Sequence, residues 1–345
     1  MQRRDFIKKA AAATAAFSIV PRHVLGGSFT APSDTLYMAG IGVGGRGHGV
    51  MKGLLDTGRV KFVALADVSV QRGKRAFEAN PKAERFQDYR KLYEKHVEGI
   101  DAFFCATPDH SHAVVSLPFM LAGKHAYVEK PLTHTIREAR LMAKIADKKN
   151  LVTQMGDPGA SADGLRTATE IVQSGLLGRI SKVDCWTNRP VWPQGLQPPT
   201  TADEIPEYLD WDLWLGPAQT RDFNHKYLPF KWRGFWDFGT GALGDMGCHI
   251  METPYLALGL GHPKSAEASC TTIWSDDFVE ATYGGVCPPS SVVRLAFDHA
   301  DFGEIKLNWY DGGLMPERPA ALPKDDLPGN WDGGSVFYGE RGILV

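Results

Sequence analysis

Cysteine is scarce and unpatterned in this chain. Five residues (Cys105, Cys185, Cys248, Cys270 and Cys287) form no CxxC pair and no zinc-ligand spacing, and the odd count leaves at least one thiol unpaired within a monomer. A disulfide framework is therefore excluded as what holds the fold together. Long apolar runs are missing too, none reaching the ~20 residues that a membrane-spanning helix needs. Charge of one sign is absent: 38 Lys and Arg stand against 40 Asp and Glu, and outside the first ten residues the basic ones are spread. That balance gives no field for pursuing nucleic acid or an anionic membrane. What is present is length and apolar content, 345 residues at 43% hydrophobic. These suffice for two domains, each with its own core.

The first residues read as an address. Met1-Gln2-Arg3-Arg4-Asp5-Phe6-Ile7-Lys8-Lys9 is a cationic head, and Ala10 to Val20 is almost free of polar residues. A charged head before a short apolar run is the layout of a signal peptide. The Arg3-Arg4-x-Phe6-Ile7-Lys8 string resembles the twin-arginine export signal, which a receptor reads and which does not anchor. Residues 1–31 are accordingly expected to be signal and linker, and the mature protein periplasmic. The competing reading is an Ala-rich amphipathic helix on an ordinary cytosolic enzyme.

From Asp34 the texture changes. An apolar strand, 35–41, runs directly into Gly42-Val43-Gly44-Gly45-Arg46-Gly47, and a helical stretch follows over 48–55. Gly42, Gly44 and Gly47 match G-x-G-x-x-G: one glycine for the tight turn, one for close approach of a pyrophosphate, one for helix–strand packing. The helix N-terminus would add free N–H groups and a positive dipole, with Gly45 and Arg46 in the same turn. The next strand, 61–66, ends at Asp67, placed to accept hydrogen bonds from the adenosine ribose and so to favour NAD. A surface-loop Asp is the plain alternative. Arg72 lies close enough in sequence to receive a 2′-phosphate, which leaves NADP open.

The alternation then continues, with helices over 89–96, 112–121 and 136–148 and strands over 101–106, 125–128 and 151–155. Strand and helix in regular turn predict a parallel sheet covered on both faces, a doubly wound Rossmann domain over residues 32–157. In such sheets the ligand lies at the carboxyl ends of the strands. Thr107-Pro108-Asp109-His110 and Glu129-Lys130-Pro131 sit at two such ends. Thr107, Pro108, His110, Glu129 and Lys130 are therefore candidate cofactor contacts. The His110-Ser111-His112 pair is read as a cofactor contact and a helix start, with a metal pair as the rival.

At Glu129-Lys130-Pro131 the sequence resembles the Gfo/Idh/MocA oxidoreductases, named for glucose–fructose oxidoreductase and inositol dehydrogenase. The resemblance covers roughly Thr35 to the C-terminus. It rests on the glycine turn, the Ala106-Thr107-Pro108-Asp109-His110-x-His112 segment, Glu129-Lys130-Pro131 and Gly244-Asp245-Met246-Gly247-Cys248-His249, in that order. It implies hydride transfer, with a nicotinamide, to or from a carbinol carbon of a sugar, glycoside or polyol. It also implies a Lys130 aimed at the substrate, on a Lys–Pro bond that is often cis. The family also holds NAD-dependent glycosidases that show no net redox change, and non-catalytic sugar-binding regulators, and fold alone does not choose. The stretches 185–192 and 232–236 resemble an exported, carbohydrate-handling branch. The periplasm lacks free NAD(H), so a tightly held cofactor is expected.

Moving a hydride from a sugar carbon requires a base for the hydroxyl proton and donors for the developing alkoxide. Lys130 and His249 supply both types, and desolvation with cationic neighbours is expected to lower the Lys130 pKa. Asp245 and His249, spaced i, i+4, share one face of a helix, reached through a glycine-rich loop over 239–244. His249 is read as general acid/base. Asp245 is either its orienter or a ligand for a substrate hydroxyl. Zinc held by Asp245, Cys248 and His249 lacks a suitably spaced further ligand, so no metal is expected; a helix-capping Asp and a core His is the bland alternative.

The second domain, 158–345, is expected to be α+β, with a helix over 164–173, a strand over 181–187, a helical 245–258 and strands over 265–274, 291–297 and 304–309. Its open, largely antiparallel sheet would serve a homodimer or homotetramer, because an open apolar face needs cover. Trp186, Trp192, Trp211, Trp214, Trp232 and Trp236 concentrate there, mostly as packing. Trp192 and Trp236 are candidate pocket walls, and Asn188 and Arg189 candidate ligands for sugar hydroxyls. The chain stops at 339–345, a turn and half a strand, where relatives of the resembled branch normally continue. A fragment or shortened variant is expected.

Overall fold

The computed structural model describes residues 34–281 and 283–345, so the export-signal reading of residues 1–31 lies outside the described residues. A four-residue run such as Ala102–Cys105, all of it buried, hides its backbone only by pairing on both edges. That requirement organises the first domain. Strands β1 (Leu36–Ile41), β2 (Val60–Ala66), β3 (Glu84–Phe86), β4 (Ala102–Cys105), β5 (His125–Glu129) and β6 (Thr153–Gly156) form one sheet in the order β3-β2-β1-β4-β5-β6. Every pairing in it is parallel. Helices α1 (Arg46–Asp56), α2 (Val70–Ala79), α3 (Tyr89–His96), α4 (His112–Leu121) and α5 (Ile136–Lys149) connect the strands. Phe103 and Phe104 alternate across the pleat and enter different cores: Phe103 joins Phe119 and Val128, and Phe104 joins Met38 and Leu65. Strand order reverses between β1 and β4, which opens a crevice at their carboxyl ends.

Helix ends follow local chemistry. A capping box, Thr135 with Glu138, starts α5, and Asn150 in the left-handed region (φ 50°) ends it. Such an N-cap contributes about 1 kcal/mol. α2 and β3 lie outside the helices and strands expected from the sequence. The second has only three residues, too few for a period; α2 does carry one, Val70, Gly73, Ala76 and Phe77 falling on one face of an otherwise polar run whose polarity masks it.

The second domain contains α6 (Asp163–Gln173), β7 (Ile180–Thr187), α7 (Trp211–Leu215), α8 (Gly241–Ile250), α9 (Glu252–Leu258) and strands β8 (Ser265–Cys270), β9 (Trp274–Asp276), β10 (Val279–Glu280), β11 (Ser291–His299), β12 (Gly303–Tyr310), β13 (Gly333–Gly339) and β14 (Gly342–Leu344). β9 and β10 make a small hairpin of their own. The others form a sheet in the order β14-β13-β7-β12-β11-β8, antiparallel except between β7 and β12. Trp309, Phe297 and Phe337 fill its helix-covered face, and β8 is exposed along its whole length. The expected fold class, a Rossmann sheet followed by an α+β domain, is borne out.

Two details differ from expectation. The helical region expected over 245–258 is two helices meeting at Met251, and it starts within the expected loop, at Gly241. Gly241 has φ 64°, and a Cβ there would lie 3.1 Å from the Cys287 sulfur, so glycine carries the turn straight into the helix.

Between β7 and α8 the chain returns to the first domain. Val70 N–H donates to the Tyr208 carbonyl and Asp210 N–H to that of Val68. Trp211, Trp214, Trp232, Phe235 and Phe238 form a separate aromatic core along this segment. It walls one side of the crevice.

Candidate active site

The glycine turn is shaped by clearance. A Cβ on Gly42 would sit 2.8 Å from the Ala106 carbonyl, and one on Gly47 only 1.9 Å from the Gly42 oxygen, so α1 packs against the turn only with glycine there. Gly44 N–H donates to Asp67 Oδ2 (2.8 Å) and Ser69 N–H to Asp67 Oδ1 (3.0 Å). Burial raises the Asp67 pKa above its ordinary value, against these lowering bonds. Asp67 therefore braces the turn, and each of its oxygens keeps a lone pair for a hydroxyl. Arg46 reaches across to Glu129 (2.9 Å). Gly42, Gly44, Gly45, Arg46, Asp67, Thr107, Pro108, Glu129 and Lys130 all face one cleft of about 1000 Å³, with Ser69 and Arg72. Bare backbone at the turn, an acid beyond the second strand and cationic donors around it fit a dinucleotide.

Deeper in the same cleft lies a charged group. Lys130, on a cis Lys130–Pro131 bond at the end of β5, donates to the Asp245 carbonyl (2.7 Å) and to Asp245 Oδ1 (2.9 Å). Arg233 Nε donates to the same Oδ1 (2.9 Å), with its guanidinium over the rings of Phe230 and Trp232. Burial opposes ionisation of Asp245, but the Lys130 and Arg233 charges outweigh it and hold the carboxyl below its ordinary pKa. The expectation that Asp245 orients His249 is therefore corrected. Its carboxylate is committed to two cations, and the immediate neighbour of Lys130 is an anion where cations were expected.

The orienter of His249 is Asp157. Its Oδ1 lies 2.5 Å from His249 Nδ1 and also accepts from the Gly159 amide (2.9 Å). Burial works against the Asp157 charge, yet the bonds from His249 and the amide lower its pKa. An ionised carboxylate only accepts, so this contact assigns a ring proton to Nδ1, and the ring lines the cleft. Asp157 follows β6, a strand end of the same kind that singled out 107–110 and 129–131, and the same rule applied once more would have found it. Nothing in the spacing signals Arg233.

Other assignments change. His110 is buried between the Phe238 carbonyl (3.2 Å) and the Trp214 carbonyl (3.1 Å), and burial lowers its pKa to about 4, so the neutral ring donates its single N–H to one of them. It is an uncharged strut between segments, outside the cleft lining, and the cofactor-contact reading is corrected. His112 is likewise spent on the carbonyls of Pro131 and Thr107. Arg189 and Trp192 line the cleft; Asn188 and Trp236 do not. Asn188 accepts from Arg189 (2.5 Å), and Trp236 projects 47% exposed outside. Asp109, inside the predicted 107–110 strand end but not among the named contacts, lines the cleft and accepts from the Thr240 hydroxyl (2.9 Å). Burial and the nearby Asp245 charge push its pKa up to about 7. Among the described residues no group of three or more His, Cys, Asp or Glu could hold a metal ion.

Comparisons with known proteins agree with this layout. The profile described as "Oxidoreductase family, NAD-binding Rossmann fold" matches residues 36–157, and that of the same family's "C-terminal alpha/beta domain" matches 161–271. Levoglucosan dehydrogenase of Pseudarthrobacter phenanthrenivorans is 27% identical over 194 residues, 53% of this chain and 41% of that protein. The scyllo-inositol 2-dehydrogenase (NADP(+)) IolW of Bacillus subtilis is 23% identical over 89% of this chain and 78% of its own. Six relatives from Shewanella, named as glycosyl hydrolase family 109 proteins or α-N-acetylgalactosaminidase, are 27–30% identical over 43–52% of this chain and 34–44% of theirs. This chain thus spans less than half the length of most of these relatives. The WlbA dehydrogenase of Bordetella pertussis, solved with NADH and UDP-GlcNAcA, superposes with a TM-score of 0.62 at 17% identity, over 90% of this chain and 78% of that one.

Proposed function

The chain belongs to the Gfo/Idh/MocA oxidoreductase family, and on that premise we propose that it transfers a hydride to or from a carbinol carbon of a sugar, glycoside or polyol, with its NAD tightly held. The observation that carries this reading is the convergence of Lys130 and His249 on the cleft that the glycine turn opens. Bound NAD supplies the hydride acceptor or donor. The glycine turn, Arg46, Thr107 and Asp67 would hold it, and Arg72 keeps a 2′-phosphate, hence NADP, within the reading.

The chain's own groups divide the remaining work. Two of the three Lys130 N–H donors are fixed by Asp245, which leaves one to aim at the substrate oxygen. That donor stabilises alkoxide character as it develops. His249 takes the hydroxyl proton at Nε2 during oxidation, or returns it during reduction, while Asp157 steadies the imidazolium that forms. Asp245 serves as the anchor that holds Lys130 and Arg233 in register. Arg189, Trp192 and Trp232 offer a donor and apolar rings to a sugar face.

The test is a spectrophotometric screen of sugars, glycosides and polyols, following reduction of protein-bound nicotinamide, with Lys130→Ala as control. Loss of the reaction in that variant supports the reading; reduction that survives it opposes it. The glycosidase names among the relatives support a second reading, transient oxidation beside a glycosidic bond followed by cleavage. Product analysis separates the two, because cleavage leaves no net change in the nicotinamide. A non-catalytic sugar-binding protein would keep its ligand affinity without Lys130 and His249.

Two further parts belong to the proposal. Export is supported by the Arg3-Arg4-x-Phe6-Ile7-Lys8 string, and would be tested by fractionation of cells with and without Arg3→Lys/Arg4→Lys. Homo-oligomerisation through the second-domain sheet is supported by the wholly exposed β8, and sedimentation tests it.

A further inference from the structure

Behind His249 lie two buried carboxylate oxygens that no N–H or hydroxyl reaches. Asp157 Oδ1 receives both the His249 ring and the Gly159 amide, whereas Asp157 Oδ2 receives nothing. Glu252 Oε2 is buried and equally bare. Glu252 opens α9, three residues past His249, and its carboxyl meets that of Asp157 directly. Two ionised carboxylates in that position would repel, and each bare buried oxygen would forfeit its hydration. One proton between them satisfies both oxygens. Asp157 already has two donors stabilising its anion, so the proton belongs on Glu252.

We propose that Glu252 is a neutral carboxylic acid whose hydroxyl donates to Asp157 Oδ2, making it a positioning residue that fixes the carboxylate against His249. The chain then runs Glu252 O–H to Asp157, and His249 Nδ1–H to Asp157, with the His249 ring lining the cleft. Burial and the Asp157 charge push Glu252 above the ordinary carboxylate range, in keeping with that state. The charged surroundings are few. His249 and Asp157 act on Glu252, and Asp157 acts in turn on Cys248 of α8 and Tyr127 of β5. From α6, packed on α9, the charged residues Asp163, Arg166 and Glu170 are exposed. The proposal rests on reading His249 as the acid–base group, but its test does not use turnover.

The experiment compares the wild-type protein with Glu252→Gln and Glu252→Leu by NMR of ring-labelled histidine and by infrared spectroscopy, with His249→Asn to assign the ring. Glu252→Gln replaces a neutral donor with a neutral donor. It should keep the His249 titration midpoint within ~0.3 pH units and keep the Nδ1 proton signal. Glu252→Leu offers no donor to Oδ2 and should lose that signal to faster exchange, because Asp157 is then held at Oδ1 alone. The infrared difference between wild type and Glu252→Gln should contain a protonated-carboxyl band. If Glu252 were ionised, Glu252→Gln would remove a charge and lower the midpoint by ~0.5–1 unit, with no such band; either result overturns the proposal. A Glu252→Leu protein that keeps the Nδ1 signal overturns the positioning role. Should Glu252→Leu not fold, the band and the Glu252→Gln midpoint still decide the charge state, and Glu252→Ala takes its place for the Nδ1 signal.

Discussion

Asp245→Asn tests how the cleft holds its two cations. The asparagine keeps the shape of the side chain and removes the charge that Lys130 and Arg233 share at 2.9 Å each. All three side chains are at most 20% exposed, so solvent screening is weak. Hydrogen bonds to a charged acceptor contribute about 1.5–3 kcal/mol each and neutral ones about 0.5–1.5, so losing two such differences removes ~2–3 kcal/mol. At about 2–4 °C per kcal/mol for a domain of 150–250 residues, melting should fall by at least ~4 °C. The sign of the pH dependence follows from the depressed Asp245 pKa. Its contribution is present above the unfolded value, near 3.8, and is lost as pH falls through the depressed folded value. The variant's deficit should therefore be full at neutral pH and shrink only in strong acid. With Lys130 held only by the main-chain carbonyl of residue 245, reduction of bound nicotinamide should slow by ~100-fold. The assays are differential scanning fluorimetry across pH and single-turnover absorbance. An Asp245→Asn protein with wild-type melting and rate would refute the anchoring role.

Further outcomes are expected. Lys130→Ala and His249→Ala should each reduce turnover by ~100- to 10,000-fold with the fold retained by circular dichroism. Gly47→Ala places a methyl against the Gly42 carbonyl, so NAD affinity should collapse and stability fall by about 1–3 kcal/mol, measured by nucleotide fluorescence and melting. Asp109 binds its proton more tightly folded than unfolded, so its burial destabilises the fold progressively as pH rises from 3.8 through about 7. Asp109→Asn should accordingly gain stability over wild type at ~pH 8 relative to ~pH 5, by up to ~2.5 kcal/mol, in chemical denaturation.

Much of the nucleotide half was legible because its signals are local. A strand running into Gly42-Val43-Gly44 is fixed by clearance within one turn, and Lys130 falls at a strand end that the alternation locates. What was missed depends on contacts between distant segments. His110 occupies an equivalent strand end, yet carbonyls 104 and 128 residues away capture its ring, so position alone misassigned it. Asp245 and His249 do share a helix, but their partners, Lys130, Arg233 and Asp157, come from three other segments, and i, i+4 spacing says nothing of them. Trp192 and Trp236 look alike in sequence. One is buried at the cleft because Gln194 holds its indole N–H, and the other is turned outward.

The central claim is that an amine from one domain and an imidazole from the other flank the reactive ring of a dinucleotide. An experimental structure of the NAD complex, with a substrate polyol soaked in, tests it most directly. The substrate oxygen should lie between Lys130 Nζ and the His249 ring, with the nicotinamide beside them and its reacting carbon ~3–3.5 Å from the carbinol carbon. A nicotinamide lodged away from both side chains, or a pyrophosphate that bypasses the Gly42–Gly47 turn, would contradict it.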